Sequence, residues 1–209
     1  MKYMGMPLGM WLLYRKSFQR QLVAVLKLDS REAKRVRFHA KNDYKAIIER
    51  IPPFEKGDIF KMNIVNCALF SAFYRNLKDK PPLETLTVYY QEAMGIWATK
   101  WFCRKGGKKK FVKATAQKYQ RAARLHAGKR NPYSWNMDFI PYEDGSGYEC
   151  RFTSCGICHL MKELGIEEAI PAMCALDYAM NEWGGASRFV REYTLASGGP
   201  YCDCGYKKK

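Results

Sequence analysis

The chain has 209 residues, of which 47% are hydrophobic and 14% aromatic, enough apolar material for a packed core and too much for a largely disordered protein. Its formal charge of +16 is unevenly distributed along the chain. The apolar run at the N-terminus is broken at Arg15 and Lys16, well short of the roughly 20 residues that cross a bilayer, and no small-residue cleavage site follows it, so the expectation is a cytosolic protein without a membrane partner.

The length suits one domain over residues 1–209, with a mainly helical part (1–130) followed by an α+β part (131–209). In the helical part, Leu12, Leu13, Leu22, Val23, Val25 and Leu26 are expected on a buried face. "DSREAKRVRFHAKNDYKAIIERI" predicts a helix with Asp29 or Ser30 as N-cap, closed by Pro52 and Pro53. "DIFKMNIVNCALFSAFYRNL" is apolar on most sides and predicts a core helix. Pro81 and Pro82 open "LETLTVYYQEAMGIWATKWFC", predicted as one helix running to a turn at Gly106 and Gly107. A basic helix is expected from about Lys109 to His126.

Charge is concentrated here. Lys100 to Arg130 holds twelve Lys or Arg, and no acidic residue occurs from Trp101 to Met137. Such a run can bind a phosphate backbone; the plainer reading is a solvated helix face plus a loop, with Phe111 and Tyr119 as core contacts.

After Arg130 the pattern changes. "SWNMDFIPYEDGSGYECRFTSC" predicts a hairpin turning around Glu143, Asp144, Gly145 and Gly147. "CHLMKELG" is a short helix closed by Gly165, and "PAMCALDYAMNEW" a second one with Pro171 in its first turn. "SRFVREYTLASGGPYCDCGYKK" reads as two strands joined across Gly198, Gly199 and Pro200. The fold class is therefore α+β: N-terminal helices packed with a C-terminal antiparallel sheet of about four strands.

Six of the eight cysteines, with His159, fall in this second part: Cys150, Cys155, Cys158, Cys174, Cys202 and Cys204. In a cytosol, thiols stay reduced, which leaves a metal site or a reactive thiol. Cys202 and Cys204 are one residue apart, so on a strand they share one face and cannot easily wrap an ion as a zinc knuckle does. Cys174 and Asp177 share a helix face at i, i+3, with Asn181 one turn on. An Asp inside "AMCALDYAM" needs a partner or a task, and Arg188 or Arg191 can pair with it. The bland alternatives are a small buried Cys beside an ordinary ion pair, and a His159 without a chemical role.

The ordered stretches "TSCGICHLMKELGIEEAIPAMCALDYAM" and "REYTLASGGPYCDCGY" resemble the L-2-amino-thiazoline-4-carboxylic acid hydrolase family. Onto its pattern fall Cys155, Gly165, Cys174, Asp177, Arg191, Thr194, Gly198, Cys202 and Asp203. Cys204 stands where the family usually has an aromatic residue. The resemblance implies opening of a cyclic, amidine-like heterocycle to an N-carbamoyl amino acid, with a small-molecule substrate. Cys174, Asp177, Cys155 and Cys202 are the catalytic candidates, and Arg191, Arg188, Thr194 and Asn181 the substrate-binding ones.

Cys174 is chosen as nucleophile for the carboxylate on its own helix face. Cys155 competes, because a helix start lowers a thiol pKa while a nearby Asp raises it, so a cation beside Cys174 is needed. A divalent metal, zinc or manganese, held by Cys155, Cys174, Cys202 and His159 is an equally economical mechanism. From other classes come a nucleic-acid-binding protein with a zinc-stapled C-terminus and a small-molecule sensor using the same thiols.

Overall fold

The computed structural model describes residues 6–127 and 131–209; the end of the basic run, residues 128–130, lies outside them. Six helices come first: α1 (Pro7–Ala24), α2 (Ser30–Arg50), α3 (Lys61–Arg75), α4 (Leu83–Met94), α5 (Trp97–Lys108) and α6 (Lys113–His126). Then follow β1 (Met137–Pro141), β2 (Gly147–Phe152), α7 (Gly156–Glu163), α8 (Ile170–Gly184), β3 (Ser187–Val190) and β4 (Cys202–Lys208). The four strands form one antiparallel sheet in the order β1-β2-β4-β3. The expected α+β arrangement, helices first and sheet last, is the observed one.

Local chemistry explains most boundaries. The Asp29 carboxylate accepts the backbone N–H groups of Arg31 and Glu32, so α2 starts after a true N-cap. The β1–β2 loop closes through Tyr142, whose N–H donates to the Gly147 carbonyl, with Gly145 supplying the left-handed backbone.

Two expectations are corrected. The helix read as continuous from Leu83 to Gly107 is two, α4 and α5, because the chain breaks at Gly95 and Ile96; Gly106 and Gly107 lie inside α5 rather than in a turn. On α1, Leu12 and Leu13 are about half exposed and Val23 is exposed too, while Trp11, Tyr14, Phe18 and Leu22 go inward. The 3.6-residue period puts 11, 14, 18 and 22 on one face, and that face is largely aromatic.

The centre of the helical part is a set of packed rings. Phe18 meets Phe73 at 4.9 Å and Tyr89 edge-on at 5.8 Å, and Phe70 meets Tyr90 at 4.6 Å. Phe18, Phe73, Tyr89 and Tyr90 are fully buried. Removing the Phe73 ring forfeits transfer energy and leaves a hole among stiff neighbours. Phe73→Ala is therefore expected to lower stability by about 3–5 kcal/mol, read as a shifted midpoint in urea unfolding.

The core continues without a break from these helices into the sheet. No helix among the described residues is long and apolar enough to cross a membrane.

Candidate active site

Strand alternation builds one wall of the site. Across β2 and β4, Cys150 lies opposite Cys204 and Phe152 opposite Cys202. Those side chains face the helices, and the residues between them face away. Asp203 is one of the latter: its carboxylate accepts the backbone N–H groups of Glu192 at 2.8 Å and Tyr193 at 2.6 Å. It thereby pins the chain just after Arg191, while Cys202 and Cys204 turn inward.

Helices supply the other wall. The one-turn step in α8 puts Cys174 and Asp177 together, and Cys155 is the N-cap residue of α7. Gly156 follows because α7 starts hard against the Tyr133 backbone, where a Cβ would run into the Tyr133 carbonyl. Gly156→Ala is thus expected to displace Cys155 and the cavity wall it belongs to and to reduce activity by about tenfold or less. A thermal melt alongside the assay separates displacement from unfolding.

These elements enclose a cavity of about 190 Å³ whose lining includes Cys155, Cys174, Cys202, Asp177 and Arg191. Cys150 and Cys204 also reach it, so five thiols face one space, with Phe60, Trp135 and Phe152 forming an aromatic side. All are free cysteines.

Arg191, with 4% of its side chain exposed, is the cation beside Cys174. Its Nη2 donates to the Asp177 carboxylate and to the Cys174 carbonyl, each at 3.0 Å. The guanidinium lies 4.8 Å from the Phe189 ring centre, and its Nε is buried without a partner. Asp177 sits deep in the fold yet is not covered, since 44% of its side chain meets cavity space.

Burial dominates the electrostatics. It pushes the Cys174 thiol up to about 12, helped by Asp177 and opposed by Arg191. Cys155 is raised well above the usual thiol range by its hydrogen bond with the Cys158 thiol and by burial, against the pull of the backbone N–H groups of Cys158 and Ile157. Cys202 is raised by burial although its sulfur accepts the Leu195 N–H at 3.2 Å. Burial also raises the Asp177 carboxyl, with Arg191 holding it back. The resting thiols are therefore neutral, and a base must accompany any of them that attacks.

The remaining candidates lie elsewhere. His159 faces away from the cavity, 3.5 Å from Glu163 and edge-on to Tyr133 at 4.8 Å. Arg188, on the other side of β3 from Phe189, is exposed. Asn181 binds Lys110, Ser187 and the Ser187 carbonyl rather than lining the cavity. Thr194 caps a short turn by accepting the Ser197 N–H.

The conditional metal set of Cys155, Cys174, Cys202 and His159 does not fit one ion, because the imidazole points the other way. Among the described residues no three His, Cys, Asp or Glu are grouped to hold a metal, a zinc staple at the C-terminus included. Sequence reasoning left out Cys150, Cys204, Tyr119 and Tyr206 as cavity residues. The same-face spacing of Cys202 and Cys204 was the available signal for Cys204; Cys150 needs the strand register.

A family model described as L-2-amino-thiazoline-4-carboxylic acid hydrolase matches residues 33–206, from α2 to β4. No curated protein matches the chain, and no solved structure does.

Proposed function

The chain belongs to the L-2-amino-thiazoline-4-carboxylic acid hydrolase family, and from that premise we propose that it hydrolyses L-2-amino-thiazoline-4-carboxylate or a close cyclic amidine to an N-carbamoyl amino acid. The observation that carries this reading is the meeting of Cys155, Cys174 and Cys202 with the Asp177–Arg191 pair around one small cavity.

Cys174 is the nucleophile and Asp177 its base. A carboxyl raised by burial is a better proton acceptor near neutral pH than an ordinary one, and a thiol near 12 needs such help. The thiol proton passes to Asp177 as the sulfur adds to the ring carbon between the nitrogens and the ring sulfur. That carbon's bond to the ring sulfur breaks, and the departing sulfur takes the proton. The carbon is now an isothiourea on Cys174. Water, losing a proton to Asp177, adds to it; the Cys174 sulfur leaves and regains a proton. One water is consumed and the product is N-carbamoyl cysteine. Arg191 receives the substrate carboxylate through the part of its guanidinium that Asp177 leaves unused.

The direct test is to incubate the reduced protein with the thiazoline carboxylate, with and without added zinc or manganese, and follow N-carbamoyl cysteine by mass spectrometry. Product formed in proportion to enzyme supports the reading; no ring opening under either condition, of this compound or of its analogues substituted on the exocyclic nitrogen, overturns it.

A pH profile adds a signature. Asp177 must be ionised to accept a proton, so kcat/KM falls as pH drops through its pKa. Because burial raises that pKa, the fall is centred above the ordinary aspartate value of about 3.9. Asp177→Asn is expected to remove this acid limb together with most of the activity; a limb that persists unchanged in the variant assigns the base elsewhere.

A further inference from the structure

Beside the reactive cavity lies a second, larger one of about 560 Å³, walled by the end of α5, the α5–α6 connection, the start of α6 and α8. The two share Tyr119, Asp177 and Tyr206 in their walls, so they are neighbouring compartments divided by two tyrosines and a carboxylate. Part of its wall is the place where α5 and α8 approach through glycine: a Cβ on Gly107 would run into the Gly184 backbone.

Its charge is one-sided. Lys109, Lys110 and Lys118 line it, and Asp177, already paired with Arg191, is the one acidic residue in its walls among the described residues. Lys110 is tied down: its ammonium donates to Asn181 at 2.9 Å and Ser187 at 3.0 Å and lies 4.0 Å from the Tyr206 ring centre. Lys109 and Lys118 are exposed and pair with no carboxylate among the described residues. The plain reading of this basic run as a solvated face fits Lys109 and Lys118 by exposure; their place on a cavity wall next to the site is what it lacks.

We propose that this vestibule is an anion subsite of the same active site, and that the substrate is a 2-aminothiazoline-4-carboxylate bearing an acidic substituent on its exocyclic nitrogen. The inference rests on the hydrolase reading above and names its substrate class. The orientation follows from the walls. Arg191 lines the inner cavity only and takes the ring carboxylate, whereas Asp177 borders both spaces and faces the amidine end of the ring. A group on the exocyclic nitrogen then passes Asp177 into the vestibule. A neutral or basic tail gains nothing from Lys109 and Lys118, while a carboxylate or phosphate there meets two ammonium groups, and Asp177, the one acidic residue in the described walls, is engaged by Arg191.

The test compares two synthetic probes, the thiazoline carboxylate with a carboxyethyl group on the exocyclic nitrogen and its neutral carbamoylethyl isostere. Turnover of both, and of the unsubstituted ring, is measured in the wild type and in Lys109→Glu/Lys118→Glu. Binding is measured by calorimetry on the Cys174→Ser protein with and without the lysine changes. The acidic probe is expected to be favoured about fivefold or more at low salt in kcat/KM and in affinity, as two exposed ion pairs allow, with the ratio shrinking as salt rises. The ratio should fall to about one or below in the lysine variant, as loss of those pairs requires. A wild-type ratio of one while the unsubstituted ring is hydrolysed overturns the vestibule and leaves the hydrolase standing. Tighter, lysine-dependent binding of the acidic probe with no hydrolysis of any compound keeps the anion subsite and overturns the hydrolase. No preference in binding overturns the subsite whatever the turnover.

Discussion

Replacing Cys174 by serine is expected to lower kcat by about a thousandfold or more while leaving the fold intact, because the attacking atom itself is lost. A serine hydroxyl is close in shape to a thiol but ionises far less readily, and it sits where burial already lifts the thiol to about 12. The change touches a half-buried side chain, so the unfolding midpoint should move little. Cys155→Ser is the informative companion. Cys155 is raised by its neighbour Cys158 and by burial, and lacks a carboxylate one turn away on its own helix. Its loss should weaken the site by disturbing the cavity wall, about tenfold or less, without abolishing turnover. Alkylation of the native protein followed by peptide mapping gives an independent reading. Inactivation that tracks label on Cys155 alone, together with full activity in Cys174→Ser, transfers the nucleophile to Cys155.

Arg191→Met is expected to lower kcat/KM about a hundredfold and to destabilise the protein. The guanidinium performs two tasks: it holds Asp177 and the Cys174 carbonyl in place, and it offers its remaining donors to the substrate carboxylate. A lost charge-assisted contact of about 1.5–3 kcal/mol accounts for most of that factor. Stability should fall by about 1–2 kcal/mol, less than for a fully enclosed pair, because much of Asp177 meets cavity space and is partly screened.

The sign of its pH dependence is fixed by Asp177. Burial already raises this carboxyl above its unfolded value, and removing the cation that opposes burial raises it further. The folded state then binds the proton more tightly than the unfolded one. The destabilisation is therefore greatest above the raised pKa, where the carboxylate must be charged without its partner, and fades as pH falls below it. Urea unfolding at two pH values on either side of that pKa reads this directly, and a loss independent of pH removes Asp177 as its cause. Arg191→Lys should restore stability more than activity, since an ammonium supplies the charge but not the fork that engages carboxylate, carbonyl and substrate together.

How much of this was legible beforehand depends on the range of the interaction involved. Features set within a few residues were readable: the Asp29 cap of α2, the hairpin at Gly145, the close of α7 at Gly165, and the one-turn spacing of Cys174 and Asp177. Each rests on a backbone preference or a helical period. So was the strand alternation that puts Cys202 and Asp203 on opposite faces, though not which of the two faces in. The family pattern was readable too, and it is carried by those same local elements.

The break at Gly95 and Ile96 that splits α4 from α5 is local and was misread; the other failures were judgements that needed a neighbour from far along the chain. α1 contains two plausible apolar stripes, and only the rings of Phe73, Tyr89 and Tyr90 decide that Trp11, Phe18 and Leu22 form the buried one. Nothing in "CHLMKELG" says which way His159 points; Tyr133 and Glu163 take it from the cavity. Charge alone makes Arg188 and Arg191 equal partners for Asp177, and only the family pattern distinguishes the second; β3 exposes the first, and the second, held by Asp203 just after it, meets Asp177. Cys150 becomes a cavity residue only through its register with Cys204, and Lys109 and Lys118 become the wall of a vestibule only where α5 closes on α8 through Gly107 and Gly184. The sequence by itself determined most of the elements, the two halves of the architecture and the chemical types available for the site. The packing of α7, α8 and the sheet against one another decided which of those groups share a space, because local preference orients a side chain on its own element, whereas the meeting of two elements is set by the burial of both their faces together.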